Sequence, residues 1–194
     1  MERNSVTGQR FKEMFDAGTA WLEKCVPEIN AINVFPVPDG DTGTNMLLTM
    51  HSAMEAVHQN HDDDVSAIAE TIAHGALMGA RGNSGVILSQ FWKGFVKGLN
   101  GNERLSTKAL ARALSAASQA AYDGLVNPVE GTMLTVLHDS ANAAEAAAKD
   151  NPRNLIKTLA TAVEAARGSV ANTPNLLSVL REAGVVDAGG QGLY

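Results

Sequence analysis

The stretch Asn33-Val34-Phe35-Pro36-Val37-Pro38-Asp39-Gly40-Asp41-Thr42-Gly43-Thr44-Asn45 decides how the rest of the chain is read. Pro36 and Pro38 cannot sit in a helix interior, and each also restricts the residue before it, so Val34 to Pro38 is extended and stiff. Asp39 and Asp41 stand two apart on a non-helical loop. That spacing lets two carboxylates converge on one hard cation, or on two adjacent ones. A helix follows directly, expected from near Gly43, and brings a positive N-terminal end with free N–H groups. Asn33 offers a neutral oxygen upstream, and Thr42, Thr44 and Asn45 carry donors suited to phosphate oxygens. The same aspartates could equally be turn and N-cap residues, and the loop alone leaves both readings open.

Working outward, the chain reads as helices separated by polar or glycine-rich breaks. Upstream, residues 7–26 carry Phe11, Met14, Phe15, Leu22 and Val26 near helical periodicity, with Pro27 expected to end the segment. Downstream, Met46, Leu47, Met50, Met54 and Val57 form a stripe, and HQNHDDD at 58–64 is a polar turn. Residues 65–78 form a further helix, followed by the break GARGNSG at 79–85. The segment 86–99 is strongly apolar and reads as a central helix. Ala-rich helices are expected over 105–123 and 132–149, one from about 151 to 171, and a short one over TPNLLSVLREAG. Pro174 suits the first turn of that last helix and Gly184 its C-cap. No segment alternates with period two. The fold class is therefore all-α, an up-and-down bundle or barrel of seven or eight antiparallel helices.

In such a bundle, connections alternate between the two ends. Counting helices puts the breaks at 33–45, 79–85, 127–133 and 184–192 at one end, with HQNHDDD and GNERLS at the other. One rim should then carry function. On it, Ser84 with the amides of Gly82, Asn83, Ser84 and Gly85 forms a second candidate anion cradle, and Arg81 is either a phosphate partner or a surface arginine.

Composition narrows the classes. With 194 residues, 45% hydrophobic and 19% charged, the chain is globular, and 5% aromatics with abundant Ala and Gly suit closely packed helices. A net charge of −6 without a basic run argues against nucleic acid. An acidic protein still binds a nucleotide when metal ions neutralise the phosphates. The single cysteine, Cys25, reads as a small hydrophobe. No signal core and no long apolar run occur, so no membrane span is expected and a cytoplasmic location is. The Gly-rich ending suggests a piece of a longer protein, cut in or after the turn at 184–192.

Several motifs fail. GxxxxGK[ST] and GxGxxG are absent. An EF-hand counted from Asp39 would need Gly at 44 and Glu at 50, where Thr and Met stand. The histidines make no tight zinc spacing, and His74 alone is a candidate to face the rim.

PDGDTGTNM (38–46) resembles the DGD-x-G-x-N-M signature of the ATP-binding L domain of dihydroxyacetone kinases. The longer NVFPVPDGDTGTNM, with GARGNSGVILSQ (79–90), EGTMLTV (130–136) and GVVDAGGQGL (184–193), is more specifically similar to the N-terminal domain of the kinase component of bacterial fatty acid kinase. The resemblance spans essentially residues 1–194 as one domain. It implies an eight-helix antiparallel barrel with the nucleotide on one rim, and ATP or ADP held through two Mg²⁺ ions. Asp39 and Asp41 match two of three metal-binding aspartates of the family and would be the catalytic pair. The third has no aspartate here, and Asn33 is the nearest candidate, offset by about one residue. Thr42 stands where dihydroxyacetone kinases have His. Asn45, Ser84, Thr132 and Met133 fall on nucleotide-contacting positions, and Asp187 in the turn closing near the nucleotide.

The activity implied is phosphoryl transfer from ATP to a fatty acid carboxylate presented by a separate fatty-acid-binding protein, giving an acyl phosphate for phospholipid synthesis. The resemblance leaves room for a homodimer of the full-length protein. Two other readings remain: a dihydroxyacetone kinase component of the L type, and a nucleotide-binding regulator without turnover.

Overall fold

The computed structural model describes residues 5–194 and consists almost wholly of helices. They are α1 (Gly8–Ala31), α2 (Thr42–His58), α3 (Val65–Met78), α4 (Gly82–Leu99), α5 (Thr107–Asp123), α6 (Met133–Asp150), α7 (Leu155–Leu176), α8 (Ser178–Ala183) and α9 (Ala188–Leu193). Two short strands, β1 (Ser5–Val6) and β2 (Leu105–Ser106), pair antiparallel. They are too short for any alternation to show in the sequence.

Each long helix packs on its sequence neighbours from α1 to α7, as short antiparallel connections require. The ring closes through α9, which touches α6 and α7 on one side and α1 and α2 on the other. The all-α up-and-down barrel is therefore observed, with the six-residue α9 in the eighth position. The segment expected as a plain Gly-rich turn is thus helical. Its glycines let it sit close: a side chain at Gly190 would meet Val136, and one at Gly192 would meet Met46.

Most helix starts are set by their own N-cap. Thr7, Asp64, Ser106, Thr132 and Asn154 each accept a backbone N–H of the first turn. Two prolines depart from expectation. Pro27 does not end α1, which runs on to Ala31. Its side chain is exposed, so the ring lies on the solvent side of the helix. Pro174 sits in the last turn of α7 instead of opening a new helix. The carbonyl of Val170, which loses its partner there, accepts the Thr173 hydroxyl at 2.7 Å. Gly184 does cap α8 in the left-handed conformation (φ 69°).

The core has two textures. Phe11 and Phe15 of α1 meet Phe91, Trp92 and Phe95 of α4, with Phe11 stacked on Phe95 at 5.7 Å and Trp92 edge-on to Phe15 at 5.3 Å. Between α4 and α5, Gly94 and Gly98 lie against Ala113 and Ala117, which brings the two backbones close. Trp21 is 64% exposed on the outside of α1, whereas Trp92 is buried.

The end opposite the predicted rim is laced together. The Gly8 N–H donates to the Asp63 carbonyl at 2.7 Å, and the Val65 N–H to that of Glu103 at 3.0 Å. The aspartates of HQNHDDD bond within this lacing; Asp64 caps α3. Among the described residues no helix is long and apolar enough to cross a membrane.

Candidate functional site

The starts of α2, α4, α6 and α9 converge on one end of the barrel around a cleft of about 440 Å³. Asn33, Asp39, Asp41, Thr42 and Asn45 form one wall, and Gly82, Asn83 and Ser84 a second. Thr132 and Met133 form a third, and Asp187 closes the fourth side. The four breaks thus share a rim, as the helix count implied. Thr44 and Gly85 do not line the cleft. Thr44 is turned toward α1, where its hydroxyl accepts the Asn30 amide at 2.9 Å. Gly85 lies against Thr49 of α2 and serves the packing of α4 on α2. Arg81 is exposed and outside the cleft, and His74 lines a separate small groove with Glu70 and Lys93.

Asp41 occupies the N-cap position of α2 but makes no side-chain cap. Neither its carboxylate nor that of Asp39 is paired in an ion pair or hydrogen bond among the described residues. Asp39 is exposed and Asp41 half-buried. Two unengaged carboxylates on a cleft wall suit a hard cation. No group of three or more His, Cys, Asp or Glu side chains gathers as a metal site among the described residues.

Asn33 has a different part from the one its position suggested. Its Oδ1 accepts the N–H groups of Asp41 and Thr42, each at 3.1 Å, and the Thr42 hydroxyl at 2.9 Å. Its Nδ2 donates to the carbonyls of Phe35 and Val37. With three donors on that oxygen and 6% exposure, Asn33 holds the loop together and has no lone pair left for a metal. The expected free N–H groups at the start of α2 are also taken. Those of Gly43 and Thr44 go to Oδ1 of Asn30, a residue with no distinguishing mark in the sequence.

The start of α4 is the open one. Arg81 provides no side-chain cap, and the N–H groups of Gly82, Asn83 and Ser84 have no partner among the described residues. Gly82 is left-handed (φ 58°), and a Cβ there would meet the Asn45 amide, so a side chain at 82 is strained and would have to displace Asn45. The Ser84 hydroxyl reaches the Thr42 carbonyl at 3.4 Å, joining the two walls.

Asp187 is buried at 5% exposure, and desolvation pushes its carboxyl up to about 6. The backbone N–H groups of Gly190 and Met133 oppose that shift. Glu130, which carried no expected role, accepts the Tyr122 hydroxyl at 2.9 Å and that of Thr135 at 2.6 Å. Burial, followed by this bond, pushes the Tyr122 phenol up to about 12. Apolar lining from Phe35, Val37, Ile87, Leu125, Val129 and Leu134 was also not expected. Such residues look like ordinary core until the fold gathers them.

Residues 36–194 match the DAK2 domain. The chain belongs to the DAK2 domain family. Curated relatives include an uncharacterised protein of Staphylococcus saprophyticus, 46% identical over 190 residues. Others in Staphylococcus aureus and Staphylococcus epidermidis are 44% identical over 190 residues. The match takes in 98% of this chain and 34% of each relative, so the DAK2 chain described here spans about a third of their length. Among solved structures, the DAK2 domain superposes on the dihydroxyacetone kinase of C. freundii, determined with AMP-PNP and Mg²⁺. The TM-score is 0.67 at 22% identity, covering 94% of this chain and 31% of that one. At that identity the likeness speaks to the fold alone.

Proposed function

We propose that this DAK2 domain binds ATP with Mg²⁺ in the cleft and is the kinase domain of a cytoplasmic fatty acid kinase. The observation that carries the reading is the pairing across one cleft of two unengaged carboxylates, Asp39 and Asp41, with the uncapped N–H groups of α4. A nucleotide triphosphate needs both, because its anionic oxygens take N–H donors while its residual charge takes cations held by acid groups. The AMP-PNP and Mg²⁺ of the C. freundii relative are compatible with that chemistry.

In this reading Asp39 and Asp41 hold one or two Mg²⁺ ions, and Asn33 shapes the loop instead of serving as a third ligand. Bound cations would neutralise the phosphates and raise the electrophilicity of the terminal phosphorus. The N–H groups of Gly82, Asn83 and Ser84 with the Ser84 hydroxyl bind phosphate oxygens. Asn45, Thr42 and Thr132 add donors, and Met133 with Leu125 and Val129 shelters the base from water. Asp187 lines the same cleft and orients the α9 side of it.

The acceptor is a fatty acid carboxylate presented by a separate fatty-acid-binding protein. One carboxylate oxygen bonds to the γ-phosphorus while the bond to the β,γ-bridging oxygen breaks, and ADP leaves with the electron pair. The carboxylate is ionised at pH 7 and needs no general base. The hydroxyls of dihydroxyacetone are the acceptor in the second reading, which the fold likeness leaves. A regulator without turnover is the third.

The test supplies the full-length protein with ATP, Mg²⁺ and either a fatty acid on its binding protein or dihydroxyacetone. The expected result is ADP with acyl phosphate from the first mixture only. Product from the second mixture alone would transfer the assignment to a dihydroxyacetone kinase, and nucleotide binding without product from either would leave a regulator.

A further inference from the structure

We propose that Asn30 and Asn33 cap α2 from outside the helix and thereby release the Asp41 carboxylate for the cation. The inference rests on the metal-nucleotide reading of the cleft.

An α-helix begins with four N–H groups that have no partner of their own, and a residue such as Asp at the N-cap normally takes one or two of them. Asp64 does so at α3, where its Oδ1 accepts Ser66 N–H at 2.6 Å and Ala67 N–H at 3.3 Å. Asp41 holds the N-cap position of α2, with its backbone at ψ −2° where Asp64 has 121°, and takes none. All the vacancies are filled by two neutral amides. Oδ1 of Asn33 accepts the N–H groups of Asp41 and Thr42, and Oδ1 of Asn30 those of Gly43 at 2.8 Å and Thr44 at 3.2 Å. The helix ladder starts only at the next residue, with Asn45 N–H on the Asp41 carbonyl at 2.8 Å.

The arrangement needs α1 to continue past Pro27, because Asn30 lies in its last turn. It also needs α1 and α2 to touch. A side chain at Gly43 would come within 3.0 Å of the Asn30 oxygen and of the Val26 carbonyl. Glycine at 43 is what admits the amide to the helix end.

Two consequences favour a cation beside Asp41. A carboxylate that accepts N–H groups keeps its charge but has fewer lone pairs free for a metal. And the positive end of α2, which would repel a cation, is offset by two amide oxygens placed on its N–H groups. Asn30 and Asn33 are therefore positioning residues: they act on the metal through Asp41.

The test is calorimetric titration of AMP-PNP into the 194-residue chain at a series of fixed Mg²⁺ concentrations, which yields the apparent Mg²⁺ affinity of the complex, alongside thermal unfolding without ligand. Asn30→Ala is compared with Asn154→Ala, which removes the cap that accepts Lys157 N–H at the start of α7. Both variants should melt lower. Only Asn30→Ala should weaken Mg²⁺, by about tenfold, because Asp41 turns back to cap its own helix. Asn30→Asp keeps the accepting oxygen and the shape, so it should fold and bind Mg²⁺ at least as tightly as the wild type. Equal Mg²⁺ affinity in Asn30→Ala and the wild type, or weaker binding in Asn30→Asp, overturns the inference while the function proposed above stands. Absence of Mg²⁺ binding by the wild-type protein overturns both.

Discussion

The backbone N–H of Asp187 donates to the hydroxyl oxygen of Thr173 at 3.0 Å, and so pins a buried carboxyl of α9's N-cap against the last turns of α7. That carboxyl is pushed up to about 6 from 3.8 by desolvation. The folded state therefore binds the proton more tightly than the unfolded chain, and stability falls as pH rises from about 4 to about 6. Above that window the charged form costs roughly 2–3 kcal/mol. Asp187→Asn carries no charge and keeps an oxygen for the Gly190 N–H, at the expense of the Met133 N–H. It should raise the melting temperature at pH 7 and flatten the dependence between pH 4 and 6, as thermal unfolding across that range would show.

Asp39→Ala and Asp41→Ala should each abolish Mg²⁺-dependent nucleotide binding, with product formation reduced at least ~100-fold. Their carboxylates make no hydrogen bond or ion pair within the described residues, so the melting temperature should change little. A variant that melts much lower, or one that still binds Mg·ATP, would separate these residues from the role given to them.

Asn33→Asp distinguishes a loop-holder from a metal ligand. A ligand would improve with the added charge. A loop-holder would be damaged, because the carbonyls of Phe35 and Val37 would then face a carboxylate in place of the amide that donates to them. The expected loss is about 2–3 kcal/mol of stability, with weaker Mg²⁺ binding. Denaturant unfolding together with calorimetry reads both.

Gly82→Ala should cost about 1–2 kcal/mol from the left-handed backbone, and more from the contact with Asn45. Because Gly82 opens the uncapped start of α4, affinity for AMP-PNP should fall further than the stability does. An unchanged nucleotide affinity would remove the α4 start from the phosphate site.

The helical barrel was readable because periodic apolar stripes and Gly or Pro breaks are local features of sequence. The common rim was readable for a related reason, since parity follows from the number of helices alone. What escaped depends on contacts between distant residues. Pro27 reads as a stop, and only the exposed side of α1 shows why the helix tolerates it. Asn30 has no local signal; its importance comes from Gly43, thirteen residues on. Asn33 was noticed for its position, yet its partners are the backbone of its own loop. The apolar lining of the cleft, such as Leu125 and Val129, has the same composition as the core.

The two tryptophans make a pair of independent optical reporters. Trp92, enclosed by Phe11, Phe15, Phe91 and Phe95, should emit at short wavelength, and Trp21, facing water on α1, at long wavelength. Neither lines the cleft. In a Trp21→Phe background, intrinsic fluorescence would follow the α1–α4 contact alone. Unfolding of each variant could then be followed in the same cuvette in which nucleotide binding is titrated, without confusing one signal with the other.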